Sequence, residues 1–163
     1  MNKALFIFMM IVLIYASVSL HFVDKVQFLC PIDYRNQIII RNDSRGDGFF
    51  GARRNGGRKH NGVDLYGEIG TPVKSVRSGR VIVADKLKNG LGTHVIIQHP
   101  RGATTIYAHL SEIYVKRGDF LQQGRVIGAV GKTGNATHPK IQPHLHFEVK
   151  KGGVPQDPIA YWE

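Results

Sequence analysis

After residue 60 the chain becomes a series of short β-branched and apolar runs separated by glycine-rich turns, and this rhythm constrains the fold more than any other feature. Runs of this kind read as strands, and they fall at 72–75, 79–85, 93–99, 104–109, 125–130 and 144–150. Turns such as Asn89-Gly90-Leu91-Gly92 and Pro100-Arg101-Gly102 divide them. A helical period is missing from this half, apart from 157–162, where Asp157 as a cap and Pro158 behind it predict a final helical turn. Many short strands with tight turns imply one antiparallel all-β sandwich or barrel. A length of 163 residues suits a single domain with a proper core. With Cys30 as its one cysteine, the chain forms no internal disulfide and relies on packing, and Cys30 itself reads as a buried small hydrophobe.

Within that series the most informative strand is Pro143-His144-Leu145-His146-Phe147-Glu148-Val149. Side chains alternate faces at a rise of about 3.3 Å per residue, so His144 and His146 point the same way, about 6.6 Å apart. Leu145, Phe147 and Val149 take the opposite, core-facing side. Glu148 shares the histidine face, either orienting a ring or simply solvated. In the strand over 104–109 the same alternation sends Ile106, Ala108 and Leu110 to the core and turns Thr105, Tyr107 and His109 away from it.

The chain begins Met1-Asn2-Lys3 and continues with seventeen uncharged residues, Ala4 to Leu20. A cationic start before an apolar run is how an export signal begins, and Ser17-Val18-Ser19 offers small residues for cleavage. Residues 1–23 are therefore expected to be a signal peptide or, left uncleaved, an N-terminal membrane anchor. Residues 24–45 follow as a leader across the surface, and 46–163 as the folded domain. The stretch 43–59 is dense in glycine and arginine and reads as a loop. The net charge of +10 favours anionic partners. Specific nucleic-acid binding is not expected, because the basic stretch lacks aromatic residues spaced for base stacking.

Chemistry enters at His60-Asn61-Gly62-Val63-Asp64, where an imidazole and a carboxylate four residues apart can converge on one cation if the chain turns at Asn61-Gly62. A catalytic zinc site takes three nitrogen or oxygen ligands and keeps one position open. His60, Asp64 and one histidine of the 144/146 pair form such a set, and His109 is a candidate for proton transfer beside it.

In order and spacing, Phe50-Gly51-Ala52-Arg53, His60-x-x-x-Asp64-Leu65, Gly70-Thr71-Pro72-Val73, Tyr107-Ala108-His109-Leu110, Gly118-Asp119, Gly131-Lys132-Thr133-Gly134-Asn135 and Pro143-His144-Leu145-His146-Phe147-Glu148-Val149 resemble the lysostaphin-like, LytM-type zinc metallopeptidases. The resemblance implies that His60, Asp64 and His146 hold one Zn²⁺, while His109 and His144 are catalytic without binding metal. It implies hydrolysis of peptide bonds in bacterial peptidoglycan, either stem-peptide cross-links or cross-bridges, by an exported protein of the periplasm or cell wall. The stretch over 114–128 also looks like the hairpin of biotinyl and lipoyl carrier domains. That similarity implies a barrel-sandwich (duplicated hybrid motif) architecture with very little helix.

A catalytically silent wall-binding module, or an activator of another hydrolase, is the alternative reading. Such relatives lose ligand or catalytic residues, and all five are kept here. Some glycine-bridge-cutting members carry a tyrosine shortly before the first zinc histidine; here the stretch is Arg53 to Lys59, so any electrophilic helper for the oxyanion has to be an arginine or a histidine. His21, His94, His99 and His138 have no place in the pattern, and the loop around His138 is expected to shape substrate access. Residues 24–45 could cover the site before activation.

Overall fold

The computed structural model describes residues 2–21, 24 and 28–162. The junction at 22–23 between the expected export segment and the leader, and leader residues 25–27, lie outside the described residues. Among the described residues a single α-helix, α1 (Lys3–His21), occupies the N-terminal apolar run, with the side chains of Leu5 to Ile14 exposed. Among the described residues no helix is long and apolar enough to cross a membrane.

The remainder is antiparallel β structure, as the glycine-punctuated runs predict. In chain order the strands are β1 (Asn42–Asp43), β2 (Gly46–Asp47), β3 (Val63–Tyr66), β4 (Pro72–Lys74), β5 (Gly79–Lys86) and β6 (Thr93–Gln98). They continue as β7 (Ala103–Ala108), β8 (Glu112–Ile113), β9 (Phe120–Leu121), β10 (Val126–Ala129), β11 (His144–Lys151) and β12 (Val154–Gln156). The main sheet runs β12-β11-β7-β6-β5-β9, with β3 also on β11, and a three-stranded sheet runs β4-β10-β8. Each of the six expected strands is present to within a residue at either end. The short β1, β2, β8, β9 and β12 have too few residues to show an alternation, and where β3 begins the sequence shows only a turn between His60 and Asp64.

The two glycine-rich hairpins exchange partners. β4 pairs with β10, and β5 pairs with β9, so the segments over 70–82 and 114–128 interlock. Gly118 and Gly124 take left-handed φ values of +99° and +82° at the turns of the second segment, which a residue with Cβ adopts only with strain. The core collects Val73, Val81, Val95, Ile97, Ile127, Leu145 and Phe147. Burying such side chains contributes roughly 1.5–3 kcal/mol each.

Residues 28–41 pack on this framework. Phe28 and Ile32 are buried in the core, Leu29 N donates to Val76 O, and Arg41 N donates to Asp64 O. Cys30 lies half-buried against the same core. The C-terminal turn is a short 3₁₀ segment, Ile159–Tyr161, whose first N–H donates to Asp157 Oδ1. Trp162 then stacks on Phe147 with ring centroids 5.6 Å apart and donates Nε1–H to Leu29 O.

Candidate metal centre and active site

Strand β11 is central to the site. Its first half pairs with β3 on one edge and its length pairs with β7 on the other. Residues directly opposite in an antiparallel pair point to the same face, and His146 lies opposite both Asp64 and Ala108. The register therefore places the Asp64 carboxylate beside the His146 ring. His60 reaches the same point from the segment before β3, where its backbone N–H donates to Ala52 O and its carbonyl accepts from Gly51 N. The glycine between the two ligands is there for clearance: Gly62 has no left-handed φ, and a Cβ on it would lie 2.2 Å from Phe147 O. The Asn61-Gly62 step works by letting this segment lie against β11.

Three acceptor atoms converge. His60 Nε2 is 2.9 Å from His146 Nδ1 and 3.1 Å from Asp64 Oδ1, and His146 Nδ1 is 2.9 Å from Asp64 Oδ1. Outer partners fix which atoms face inward. His60 Nδ1–H donates to the Phe49 carbonyl, and His146 Nε2–H donates to Glu148 Oε1 at 3.0 Å. Glu148 is thus buried and ring-orienting; its second oxygen lies 3.0 Å from Lys150 Nζ. These partners leave a lone pair on His60 Nε2 available to a cation, and Nδ1 of His146 as the corresponding atom of the second ring. A tetrahedral zinc ion with bonds of about 2.0–2.1 Å has ligand–ligand edges of about 3.3 Å, close to this triangle. His60, Asp64 and His146 are a group that could hold a metal ion, and two imidazoles with one carboxylate suit zinc.

The electrostatics agree with that use. Burial opposes charge on His146, yet the Asp64 and Glu148 carboxylates raise its pKa to about 9, so in the metal-free protein a proton stands where the cation would. Burial raises the Asp64 carboxyl, and the hydrogen bond from His146 together with the positive charge of that ring outweighs it and holds it well below the usual carboxylate range. Asp64 Oδ2 faces outward and takes two guanidinium groups, Arg41 Nη2 at 2.9 Å and Arg54 Nη2 at 3.1 Å. With that oxygen engaged, Oδ1 alone is left for a metal.

Neither arginine was found as a contact of Asp64 from the sequence. The apolar run Ile38-Ile39-Ile40 before Arg41 was the available signal, since Ile40 forms a bridge to Leu65 next to Asp64. Arg54 was read within a basic loop, which gives no hint of its partner.

His144 and His109 complete the group without joining the triangle. His144 Nδ1–H donates to Gln142 O at 2.7 Å, and its Nε2 is 3.9 Å from Asp64 Oδ1. His109 Nδ1–H donates to Thr133 O at 2.9 Å, and its ring centroid is 5.0 Å from that of His144. Each ring is held by a carbonyl that can only accept, which leaves Nε2 as the basic nitrogen. Burial pushes the pKa of His109 down to about 3 and that of His144 to about 4, so both are neutral at ordinary pH.

His109 reaches the site by a route that alternation does not predict. Tyr107 pairs with Phe147 and is fully buried, whereas Ile106 and Ala108 pair with Glu148 and His146 on the site face. The expected faces of this strand are therefore reversed. Continued alternation would send His109 to the core with Tyr107. Instead β7 stops at Ala108, and His109 adopts φ +63°, a left-handed conformation that costs a non-glycine residue about 1–2 kcal/mol. Hydrogen bonds from His109 N to Leu91 O and from Leu110 N to Thr93 O hold the turn. Such strain collects at functional sites.

The site opens into a cleft of about 470 Å³. Arg41, Arg45, Arg54, Arg58 and Lys59 line its basic wall, and Gly90, Leu91, Asn135 and Ala136 form a neutral wall in which Gly90 N donates to Asn135 Oδ1. The neutral wall is pinned by two left-handed glycines in contact: a Cβ on Gly92 would lie 2.5 Å from Gly134 N, and one on Gly134 would lie 2.4 Å from Gly92 N. The remaining histidines stay outside. His94 Nδ1–H donates to Gly92 O, His99 bonds Ser78 O and Thr105 Oγ1, His138 Nδ1 accepts from Lys140 N, and the His21 side chain lies outside the described residues.

An antiparallel β domain with a buried two-histidine, one-carboxylate centre and two neutral histidines beside it has the donor set that metal-dependent hydrolases use. Residues 58–158 match peptidase family M23, and the chain belongs to that family. It is 41% identical over 98 residues to the peptidoglycan DD-endopeptidase ShyB of Vibrio cholerae, covering 60% of this chain and 22% of the relative. It is 35% identical over 129 residues to lysostaphin of Staphylococcus simulans, covering 75% of this chain and 25% of the relative. A solved zinc-containing peptidase from Vibrio cholerae superposes with a TM-score of 0.62 at 35% identity, covering 77% of this chain and 37% of that one. The chain spans about a quarter of the length of the curated relatives it matches.

Proposed function

We propose that the chain is a zinc-dependent endopeptidase that hydrolyses peptide bonds in bacterial peptidoglycan, with His60, Asp64 and His146 as metal ligands and His109 and His144 as catalytic residues. The observation that carries this reading is the division of four imidazoles between two environments. His60 and His146 converge with Asp64 under carboxylate and carbonyl control, whereas His109 and His144 stay neutral on the same cleft. Zinc held by the three ligands supplies Lewis acidity, polarising a carbonyl and acidifying water to near neutral pH.

The protein's own groups move the protons. Nε2 of His109 or His144 accepts a proton as water oxygen bonds to the carbonyl carbon, and the imidazolium formed stabilises charge on the carbonyl oxygen. When the C–N bond breaks, an imidazolium returns the proton to the leaving amine. A low pKa keeps each ring in its base form at neutral pH and makes its imidazolium a strong acid, which favours that return.

Export across the cytoplasmic membrane fits the apolar helix Lys3–His21, whose side chains from Leu5 to Ile14 are exposed. The segment would serve as a signal or an anchor, and the basic character of the chain, +10 over its full length, would hold it on anionic wall polymers. Digestion of purified peptidoglycan tests the reading. Zinc-loaded protein should release soluble peptides, a chelator should stop it, and added zinc should restore it. Undiminished digestion by metal-free protein would refute the proposal.

A further inference from the structure

We propose that the basic wall of the cleft is a carboxylate subsite, with Arg45 and Lys59 as its contact residues, and that it selects peptides bearing a free carboxylate next to the scissile bond over neutral, glycine-only bridges. This deepens the endopeptidase reading and rests on it.

The asymmetry of the cleft is the starting point. Among the described residues five cations line the cleft, Asp64 is the only acid that does so, and the wall of Gly90, Leu91, Asn135 and Ala136 is uncharged. Arg41 and Arg54 are already committed. Both bind Asp64 Oδ2, and Arg41 also binds Asp43, while Arg54 Nη1 donates to Asp47 O. Two carboxylates, Asp64 and Asp43, cannot neutralise two guanidinium groups and a divalent metal, so the wall keeps an excess of positive charge.

Arg45 and Lys59 extend that excess outward. Both are exposed, both line the cleft, and among the described residues neither forms an ion pair with an acid. Arg45 sits on the β1–β2 turn, whose backbone Asp43 secures by accepting from Arg45 N. That turn lies against Arg54, since a Cβ on Gly46 would be 3.3 Å from Arg54 Nη1. Lys59 immediately precedes the ligand His60 and is tied into a bridge with Arg53. Two cations are thus held on backbone that itself belongs to the metal centre. A substrate carbonyl at the metal brings its neighbouring residue onto this wall or onto the neutral one, and only a carboxylate gains from the former.

The test uses the zinc-loaded full chain and two soluble substrates, a cross-linked stem-peptide dimer with free carboxylates and the same dimer with those carboxylates amidated. Wild type should prefer the free acid by about tenfold in kcat/KM at low salt, and 1 M salt should compress the preference by screening. Arg45→Glu/Lys59→Glu should erase it through KM, with kcat on the free acid held and zinc content unchanged. Equal kcat/KM for acid and amide in wild type would overturn the subsite. A variant that loses only sedimentation with anionic wall polymer, keeping the soluble preference, would overturn it too and assign the wall to polymer docking. If wild type with zinc cleaves neither dimer nor intact peptidoglycan, the endopeptidase reading itself falls.

Discussion

The two faces of β11 share one backbone and obey different physics. Leu145, Phe147 and Val149 are fully buried in a dry core, where volume and shape decide fit. His144, His146 and Glu148 are almost as buried on the other side, where directed hydrogen bonds to Gln142, Asp64 and Glu148 orient the two imidazoles. The contrast teaches that burial alone does not distinguish packing from function. On this strand the distinction is made by which lone pairs have been left facing inward.

Substitutions on the polar face should have the largest effects on turnover. His146→Ala removes one corner of the triangle, and both bound zinc, by elemental analysis, and peptidoglycan hydrolysis should fall to background. His144→Ala or His109→Ala should keep stoichiometric zinc while activity drops roughly 10²–10⁴-fold, the usual worth of a positioned acid–base group. Loss of zinc in either variant would merge the two environments that the structure separates.

A smaller effect is expected at Glu148. Glu148→Gln keeps the shape but weakens the acceptor for His146, and metal affinity should fall roughly 10–100-fold. The same pair sets a pH dependence. Because the folded pKa of His146 is raised to about 9, its stabilisation of the metal-free protein is complete below its unfolded value of about 6.5 and is lost as pH rises through about 9. Zinc competes with that proton, so affinity measured against a chelating indicator should rise with pH up to about 9 and then level off. Glu148→Gln should move the plateau to lower pH.

The core face should give the smallest change in turnover. Leu145→Ala should destabilise the fold by about 2–5 kcal/mol, read by denaturant unfolding, while kcat of the folded fraction stays near wild type. A large fall in kcat with little loss of stability would mean that the two faces are coupled.

What could be read in the sequence follows the same division. Alternation identified β11, its core face and its paired histidines, because a strand covered on one face by core must keep period two. It failed for Ile106, Tyr107 and Ala108, whose faces are reversed, and His109 faces the cleft as expected only because a left-handed residue breaks the period; no pattern of apolar residues marks a positive φ on histidine. The five motif residues were recognisable as a constellation. Arg41 and Arg54 were not, since a salt bridge between residues 23 apart, such as Arg41 to Asp64, leaves no local trace. Gly62 was recognised for the wrong reason: a turn and a close approach both call for glycine, and only three-dimensional distance separates them.

The contact between Gly92 and Gly134 acts on the chemistry from a distance. Thr133, next to Gly134, supplies the carbonyl that holds His109, and Leu91, next to Gly92, supplies the one that accepts from its backbone. Two hydrogen atoms in place of two methyl groups therefore set how far apart those carbonyls stand. An alanine at either position would act as a shim, prying the anchors of His109 apart while leaving the metal ligands in register. The placement of the His109 ring beside the His60, Asp64 and His146 triangle is thus gauged by a gap that only glycine can leave.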